Sequence, residues 1–378
     1  MVNKESIAIL LDSAPPTWTS QEDRHLLLAE RLIDKGIQPV LIFSAPLKKE
    51  YQKRFDDVGA IVRSLGYDGR PWSFYRGLKQ IFREYDVKIA HIIFFDYFSL
   101  VPWIVRATGL KRIVYEMQNS GIFRATSWKR FLLRCRTKIT TAPVVKFIAI
   151  SEFVKIQLIA AGVNEGLISV RYLGVDTERF KPDPLAGKAW REKFNLRPTD
   201  VILSSVSYLR PFKNPDILVR ACQELKSRDV NFRLFVAGDG DMLPDLKSLS
   251  KELGVDDHIH WLGNVADPRN LLQASDIFLL ASTGEAFGLV LAEAMACGVP
   301  IVGSDSGSVP EVIEPRKSGQ LFTPRMHTEL AEAVEELSID NKLRRNMAQA
   351  AIERARGLFT TEIAVRKTIE IYDELSGS

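Results

Sequence analysis

The sequence predicts an α/β protein built from two Rossmann-like, doubly wound domains, and three observations predict it. Short apolar runs such as "IAILL" (7–11), "PVLIF" (39–43) and "IFLLAS" (277–282) do not alternate in period two, as suits strands covered on both faces of a parallel sheet. Helical or turn sequence follows each run, which is the β-α alternation of a doubly wound domain. The chain has 378 residues, more than one core usually holds, so two such domains are expected.

Taken in order, "IAILL" leads through a proline-bearing turn to a helix near 20–35, "QEDRHLLLAERLIDK", which Gly36 ends before the strand "PVLIF". "IAHIIFF" (89–95), "RIVYEM" (112–117) and "KFIAIS" (146–151) are further strands. The pattern breaks in "RYLGVDTERFKPDP" (171–184), which has no helical period, and the domain junction is placed there. A second series follows, with strands "VILSSVS" (201–207), "FRLFVAG" (232–238), "IHWLG" (259–263), "IFLLAS" and "PIVGS" (300–304). "TTEIAVRKTIEIYDELSG" (360–377) sets Ile363, Val365, Ile369 and Ile371 at near-helical spacing, a terminal amphipathic helix that must dock on something. The expected division is 1–172, 173–358, and a terminal helix over 359–378 that packs on the first domain.

Composition narrows the class. Hydrophobic residues at 46% and charged residues at 26% describe an ordinary soluble globular chain. A net charge of +4 is small for this length and does not suggest nucleic acid. Cys135, Cys222 and Cys297 form neither a disulfide framework nor a metal-ligand spacing, and reduced structural thiols fit a cytoplasmic protein. The five histidines make no H-E-x-x-H pattern, so no catalytic metal is expected. "IAILLD" is too short for a secretory apolar region, and no apolar stretch is long enough to span a membrane.

The stretch with most chemistry is "GEAFGLVLAEAMACG" (284–298), which follows a strand and opens a helix. Backbone N–H groups around Phe287, Gly288 and Leu289 carry partial positive charge there and suit a phosphate, and Gly288 has no side chain to hold one off. Glu285 in the loop can accept from hydroxyls of a sugar attached to that phosphate, and Glu293, about two turns in, can reach a ribose. The alternative is plainer. Glu285 then complements the helix dipole and Glu293 faces solvent, although the apolar neighbours of Glu293 leave little polar face for it.

The E-x7-E spacing with F-G-L after the first Glu resembles the signature of retaining glycosyltransferases of family 4, which have the GT-B fold. The run "EAFGLVLAEAMACGVPIVGSDSGSVPEVI" (285–313) is similar to that pattern almost throughout, and "ISEFVKIQLIAAGV" (150–163), "LGVDTERFKP" (173–182), "FVAGDGDM" (235–242) and "IHWLGNVAD" (259–267) agree with it. The resemblance implies two Rossmann-like domains facing a cleft, the second holding a nucleotide sugar. It implies that Glu285 contacts the donor sugar, Glu293 the ribose, and the backbone at Phe287, Gly288 and Leu289 the phosphates. It also implies base recognition by backbone near the "AGDG" and "LGNV" loops, hence Gly238 and Val265. "DGD" (239–241) then fits a loop near the base rather than a metal-binding D-x-D. Where the family has G-R-L-x-x-x-K-G, this chain has "SYLRPFKN" (207–214). Lys213 keeps the lysine position, Tyr208 replaces the arginine, and Arg210 is the candidate for the missing charge. Such cations stabilise a departing diphosphate, so no metal cofactor is expected.

The first domain departs further from the family. "SAPPTWTSQED" (13–23) has no glycine where a Gly-Gly loop is common, and Gln118 or Asn119 stands where a histidine is often found. His91, on a strand, is read as a structural histidine. In "SWKRFLLRCRTK" (127–138), Trp128, Phe131, Leu132 and Cys135 fall on one helical stripe, amid Lys129, Arg130, Arg134, Arg136 and Lys138 with no acid. Two readings stand: a helix docking on an anionic membrane, with Trp128, Lys129, Arg130 and Arg134 as contacts, or a surface helix whose stripe is core. The expected function is sugar transfer from a nucleotide sugar to a glycan or lipid-linked acceptor, as in polysaccharide or lipopolysaccharide synthesis at the inner face of the cytoplasmic membrane. A non-catalytic nucleotide-sugar binder and a sugar-nucleotide epimerase are the alternatives.

Overall fold

A computed structural model describes residues 5–15, 17–67, 70–95, 99–119 and 127–377, with the side chains of 127–131 and 133 left outside the description. The chain divides into two compact units, Met1–Gly174 with Thr361–Ser378, and Val175–Thr360. The first holds a sheet of β1 (Ser6–Leu11), β2 (Gln38–Phe43), β3 (Ile61–Ser64), β4 (Val87–Ile93), β5 (Arg112–Met117), β6 (Lys146–Ala149) and β7 (Ile168–Val170). Its order is β3-β2-β1-β4-β5-β6-β7, and every pairing is parallel. The second holds β8 (Val201–Val206), β9 (Phe232–Ala237), β10 (Ile259–Gly263), β11 (Ile277–Leu280), β12 (Ile301–Ser304) and β13 (Gly319–Phe322). These run β10-β9-β8-β11-β12-β13, again all parallel. Central strands β1, β11 and β12 are buried at every position, which is why their sequences do not alternate. Two doubly wound Rossmann-like units are therefore present.

Three strands were not anticipated: β3, β7 and β13, of three or four residues each. All three are sheet edges. An edge strand has one neighbour and tolerates polar residues, so its hydrophobic signal is weak. The first long helix, Ser20–Asp34, starts on a capping box in which Thr19 and Glu22 satisfy each other's backbone N–H groups. The terminal helix, Thr361–Ser376, buries Val365, Ile371 and Tyr372 in the first unit's core with Ile9, Leu28 and Leu32. Lys35 Nζ meets Asp373 at 2.6 Å beside it. The chain changes unit at Gly174/Val175 and at Thr360/Thr361, two residues after each expected boundary. A short parallel bridge explains the placement: Val175 pairs with Thr360, and its N–H donates to the Phe359 carbonyl at 2.8 Å.

Candidate functional site

In the second unit, β8 and β11 are neighbours although three chain crossings separate them, so the winding reverses between them. Loops leaving the carboxyl ends of strands at such a switch point are where open α/β sheets bind ligands. The loop after β8 carries Lys213 and the loop after β11 carries Glu285. Lys213 Nζ donates to Glu285 Oε2 at 2.6 Å, with the side chains 17% and 14% exposed. The two loops are stitched together by hydrogen bonds: Thr283 N–H donates to Phe212 O at 2.9 Å, and the Asn214 side-chain Nδ2 donates to Ala281 O at 3.0 Å. Asn214 sits at φ 47°, the left-handed region that asparagine tolerates, and turns the chain into helix Pro215–Ser227.

A third loop, after β12, backs Glu285 and was not foreseen from sequence. Ser308 N–H donates to Glu285 O at 2.9 Å, and Ser306 Oγ accepts from Gly284 N–H at 3.1 Å. Gly307 lies so close that a Cβ there would stand 2.5 Å from the Glu285 N and O atoms. The available signal was "SDSGS" (304–308), directly after a strand and inside the run already singled out.

Helix Leu289–Ala296 begins behind Gly288, which caps it at φ 75°. The Phe287 ring is 1% exposed and packs edge-on against Phe359 at 5.5 Å, so it wedges the loop in place and only its backbone can face a ligand. Glu293 lies one turn into this helix rather than two, because the helix starts at Leu289 and not in the loop. Leu291, Ala292, Ala294, Met295 and Ala296 are buried, whereas Glu293 is half-buried. Burial pushes the nearby Cys297 thiol up to about 12, with the Glu293 charge adding to it, so Cys297 is no thiolate nucleophile at neutral pH.

At the ends of β8 and β9 lies a cavity of about 220 Å³ lined by Val206, Ser207, Tyr208, Ala237, Gly238, Asp239, Asn264 and Val265. Gly238 makes it possible: at φ 150°, a Cβ would be 1.8 Å from the Ser207 carbonyl oxygen. Gly238 N–H donates across to Gly263 O at 2.7 Å. The D-G-D stretch is loop, with Asp239 on the cavity. Among the described residues, no three His, Cys, Asp or Glu side chains are grouped as metal ligands would be. The two basic candidates part company: Lys213 is on Glu285, whereas the exposed Arg210 guanidinium lies over the Tyr208 ring at 5.5 Å.

In the first unit, Gln118 and Asn119 follow β5. Gln118 is half-buried and donates through Nε2 to Glu116 Oε1 at 2.5 Å, while Asn119 is exposed. A carboxylate only accepts, so this bond turns the Gln118 amide oxygen away from Glu116. Glu116 is itself fully buried, paired with Arg171 and, at 3.2 Å, with Arg24. Burial alone would raise its pKa, but the Arg171 and Arg24 guanidiniums hold it well below the usual carboxylate range. Burial lowers Arg171 to about 10, against the pull of Glu116. His91 Nε2 lies 3.3 Å from Glu116, and Nδ1 lies 2.6 Å from the Tyr372 hydroxyl of the terminal helix. Burial keeps His91 and His25 below their ordinary value, His25 further lowered by Arg24. A neutral His91 therefore carries its proton on Nε2 and accepts the tyrosine O–H at Nδ1. His91 is a core residue, as read.

Helix Ser127–Thr140 carries the basic stripe. The side chains of Trp128, Lys129, Arg130 and Phe131 lie outside the described residues. Of the rest, Leu132 and Ile139 are 51% and 65% exposed, and Arg134, Cys135, Arg136 and Lys138 are exposed as well. Thr137 and Thr140 are the buried side. The described part of the apolar stripe faces outward rather than into a core. None of the described helices is long and apolar enough to cross a membrane.

Known proteins resemble this chain over most of its length. The family model described as Glycosyltransferase Family 4 matches residues 24–179, and the one described as Glycosyl transferases group 1 matches 187–354. The N-acetyl-alpha-D-glucosaminyl L-malate synthase of Bacillus anthracis is 34% identical over 182 residues, 48% of this chain and 48% of that protein. The GDP-mannose-dependent alpha-(1-6)-phosphatidylinositol monomannoside mannosyltransferase of Mycobacterium tuberculosis is 37% identical over 186 residues, 46% of this chain and 47% of its own length. The matched segment thus spans about half the length of these curated relatives. Among solved structures, Anabaena Alr3699/HepE in complex with UDP superposes with a TM-score of 0.82 at 22% identity, covering 98% of this chain and 100% of that one. That likeness carries the fold.

Proposed function

This chain belongs to glycosyltransferase family 4, with the GT-B fold, and from that premise we propose that it transfers a sugar from a nucleotide-sugar donor to a hydroxyl acceptor. The transfer retains anomeric configuration, and the acceptor is a glycan or lipid-linked glycan of the polysaccharide or lipopolysaccharide kind. The observation that carries this reading is the Lys213–Glu285 pair, 2.6 Å apart, where the second sheet reverses its winding.

The chemistry follows from the side chains. A donor diphosphate lies at the start of helix Leu289–Ala296, where the Gly288 and Leu289 backbone favours an anion. Glu293 accepts from the ribose hydroxyls, and Glu285, already holding Lys213, accepts from the donor sugar. The cavity with Gly238 and Val265 takes the base. As the bond between anomeric carbon and phosphate oxygen breaks, charge grows on the diphosphate. Lys213 meets that charge, an interaction of the kind worth about 3–4 kcal/mol per strong donor. Arg210 adds a second cation, since stacking on Tyr208 uses the face of its guanidinium and not its N–H edge. The acceptor oxygen bonds the anomeric carbon from the side the phosphate leaves, and its proton passes to the departing phosphate oxygen. A protein base and a metal are not needed on this route, so turnover is expected to persist in a chelator. In the first unit, Gln118 and Asn119 are assigned to hydroxyls of sugar or acceptor. The exposed Leu132, Cys135 and Ile139 stripe with its arginines supports docking of that helix on an anionic membrane at the cytoplasmic face.

The relatives' names make UDP- and GDP-sugars the first donors to try. Slow donor hydrolysis, followed by release of nucleoside diphosphate and by NMR of the freed sugar, tests the reading without a known acceptor. The expected first product keeps the donor's anomeric configuration, and Glu285→Ala abolishes its formation. An inverted product contradicts retention. Nucleotide-sugar binding with no turnover contradicts catalysis and leaves a binding protein.

A further inference from the structure

Tyr208 stands where the family pattern has arginine, and it is 66% exposed in a unit whose other large aromatics are mostly buried. Three features set it apart from an ordinary surface tyrosine. It lines the small cavity between Ser207 and Val265. The Arg210 guanidinium lies over its ring at 5.5 Å, within cation–π range, while most of the ring stays open to a ligand. The backbone beneath it is pinned from both sides, because the buried Leu209 takes its N–H to Asp239 O at 3.0 Å and its carbonyl accepts from Met242 N–H at 3.3 Å. An exposed aromatic on a backbone this constrained costs little to order when a flat ligand arrives.

We propose that Tyr208 is the stacking platform for the donor's nucleobase, with Arg210 as the layer behind it, an inference that rests on the donor-site reading above. The cavity's other walls combine small residues, Ser207, Ala237 and Gly238, with the aliphatic Val206 and Val265 and the polar Asp239 and Asn264, and Tyr208 is the one aromatic among the described lining residues. At about 220 Å³ it is smaller than the roughly 300–1,000 Å³ of a pocket that takes a whole drug-sized ligand, which suits one ring system. Stacking works for any base with a π face, so Tyr208 sets how tightly the base is held, while its edge is read by backbone of the surrounding loops. A guanidinium stacked behind the ring adds a cation–π layer. The substitution of arginine by tyrosine then exchanges a contact to charge for a contact to the base.

The experiment is isothermal titration of the full chain with UDP, GDP, ADP and TDP, and with inorganic pyrophosphate as a probe lacking a base. It is repeated on Tyr208→Ala and Tyr208→Phe, exposed positions that leave the core intact. For the nucleotide the parent prefers, Tyr208→Ala is expected to bind about 5- to 150-fold more weakly, the range of a lost base–aromatic stack. Tyr208→Phe should match the parent within about twofold, since the ring is kept. Pyrophosphate affinity should be the same in all three. Unchanged nucleotide affinity in Tyr208→Ala overturns the platform while leaving the donor site standing, and so does an equal loss for pyrophosphate. A parent that binds none of UDP, GDP, ADP and TDP overturns the donor-site reading and the platform together.

Discussion

Lys213 and Glu285 illustrate how a site is prepared at the scale of one residue. A lysine already bonded to a carboxylate has lost much of its rotamer freedom, so a diphosphate does not have to order it. Lys213→Ala is expected to lower turnover by about 10²–10³-fold, the cost of removing one strong charge-stabilising donor, measured as nucleoside diphosphate release. A parental rate would contradict its role. Gly307→Ala acts on Glu285 indirectly, since its Cβ would sit 2.5 Å from the Glu285 backbone. It should cut turnover by about a hundredfold through misplacement while nucleotide affinity holds, in paired turnover and binding assays. Glu285, Glu293 and Lys213 were singled out in the sequence because side chains at fixed spacing carry a signature, and the fold brings Glu285 and Lys213 together. Gly307 and Ser308 were not, because what they contribute is backbone, placed by a loop distant in the chain.

Whole elements are joined by the buried cluster at the end of β5, where Glu116, Arg24, Arg171 and His91 meet Tyr372 of the terminal helix. Burial keeps His25 and His91 below their ordinary value of 6.5 in the fold. In the unfolded chain they titrate near that value, so below it the unfolded state binds protons that the folded state refuses. Stability therefore falls as pH drops below about 6.5, by up to about 1.4 kcal/mol per unit for each histidine. Glu116, depressed in the fold, acts in the same direction at lower pH: its stabilisation is present above the ordinary carboxylate range and is lost as pH falls through its folded pKa. Melting temperatures between pH 7.5 and 5 should drop steeply at the acid end, and His25→Gln should flatten that drop by about half. A flat profile in the parent would contradict the buried neutral imidazoles. The sequence could be read for strands and helices here because central strands are unbroken apolar runs and amphipathic helices have a strong period. It could not be read for this cluster, since a histidine on a strand and an arginine on a helix look alike whether they meet in the core or face water.

For the molecule as a whole, the longer strands and the division into two units followed from pattern and length, whereas the order of strands within each sheet and short edge strands such as β7 came from the structure. The outward stripe of Leu132, Cys135 and Ile139 needed the structure, because helical spacing alone cannot say which side is buried. If that stripe docks on a membrane, the chain should sediment with vesicles containing phosphatidylglycerol and not with phosphatidylcholine alone. Salt should release it, as screening shortens from about 10 Å at 0.1 M to about 3 Å at 1 M. Leu132→Glu with Ile139→Glu should abolish sedimentation, and equal binding to neutral vesicles would contradict an electrostatic contribution. The central claim, that the second unit holds a nucleotide sugar at the β8/β11 reversal, is tested most directly by thermal melts with UDP, GDP, ADP and TDP. A ligand at a hundred times its dissociation constant stabilises by about 2.7 kcal/mol, well within reach of such a melt. The account predicts a shift with one nucleotide in the parent, its loss in Glu293→Ala and its retention in Glu285→Ala. No shift with any nucleotide, or the same shift in Glu293→Ala as in the parent, would contradict it.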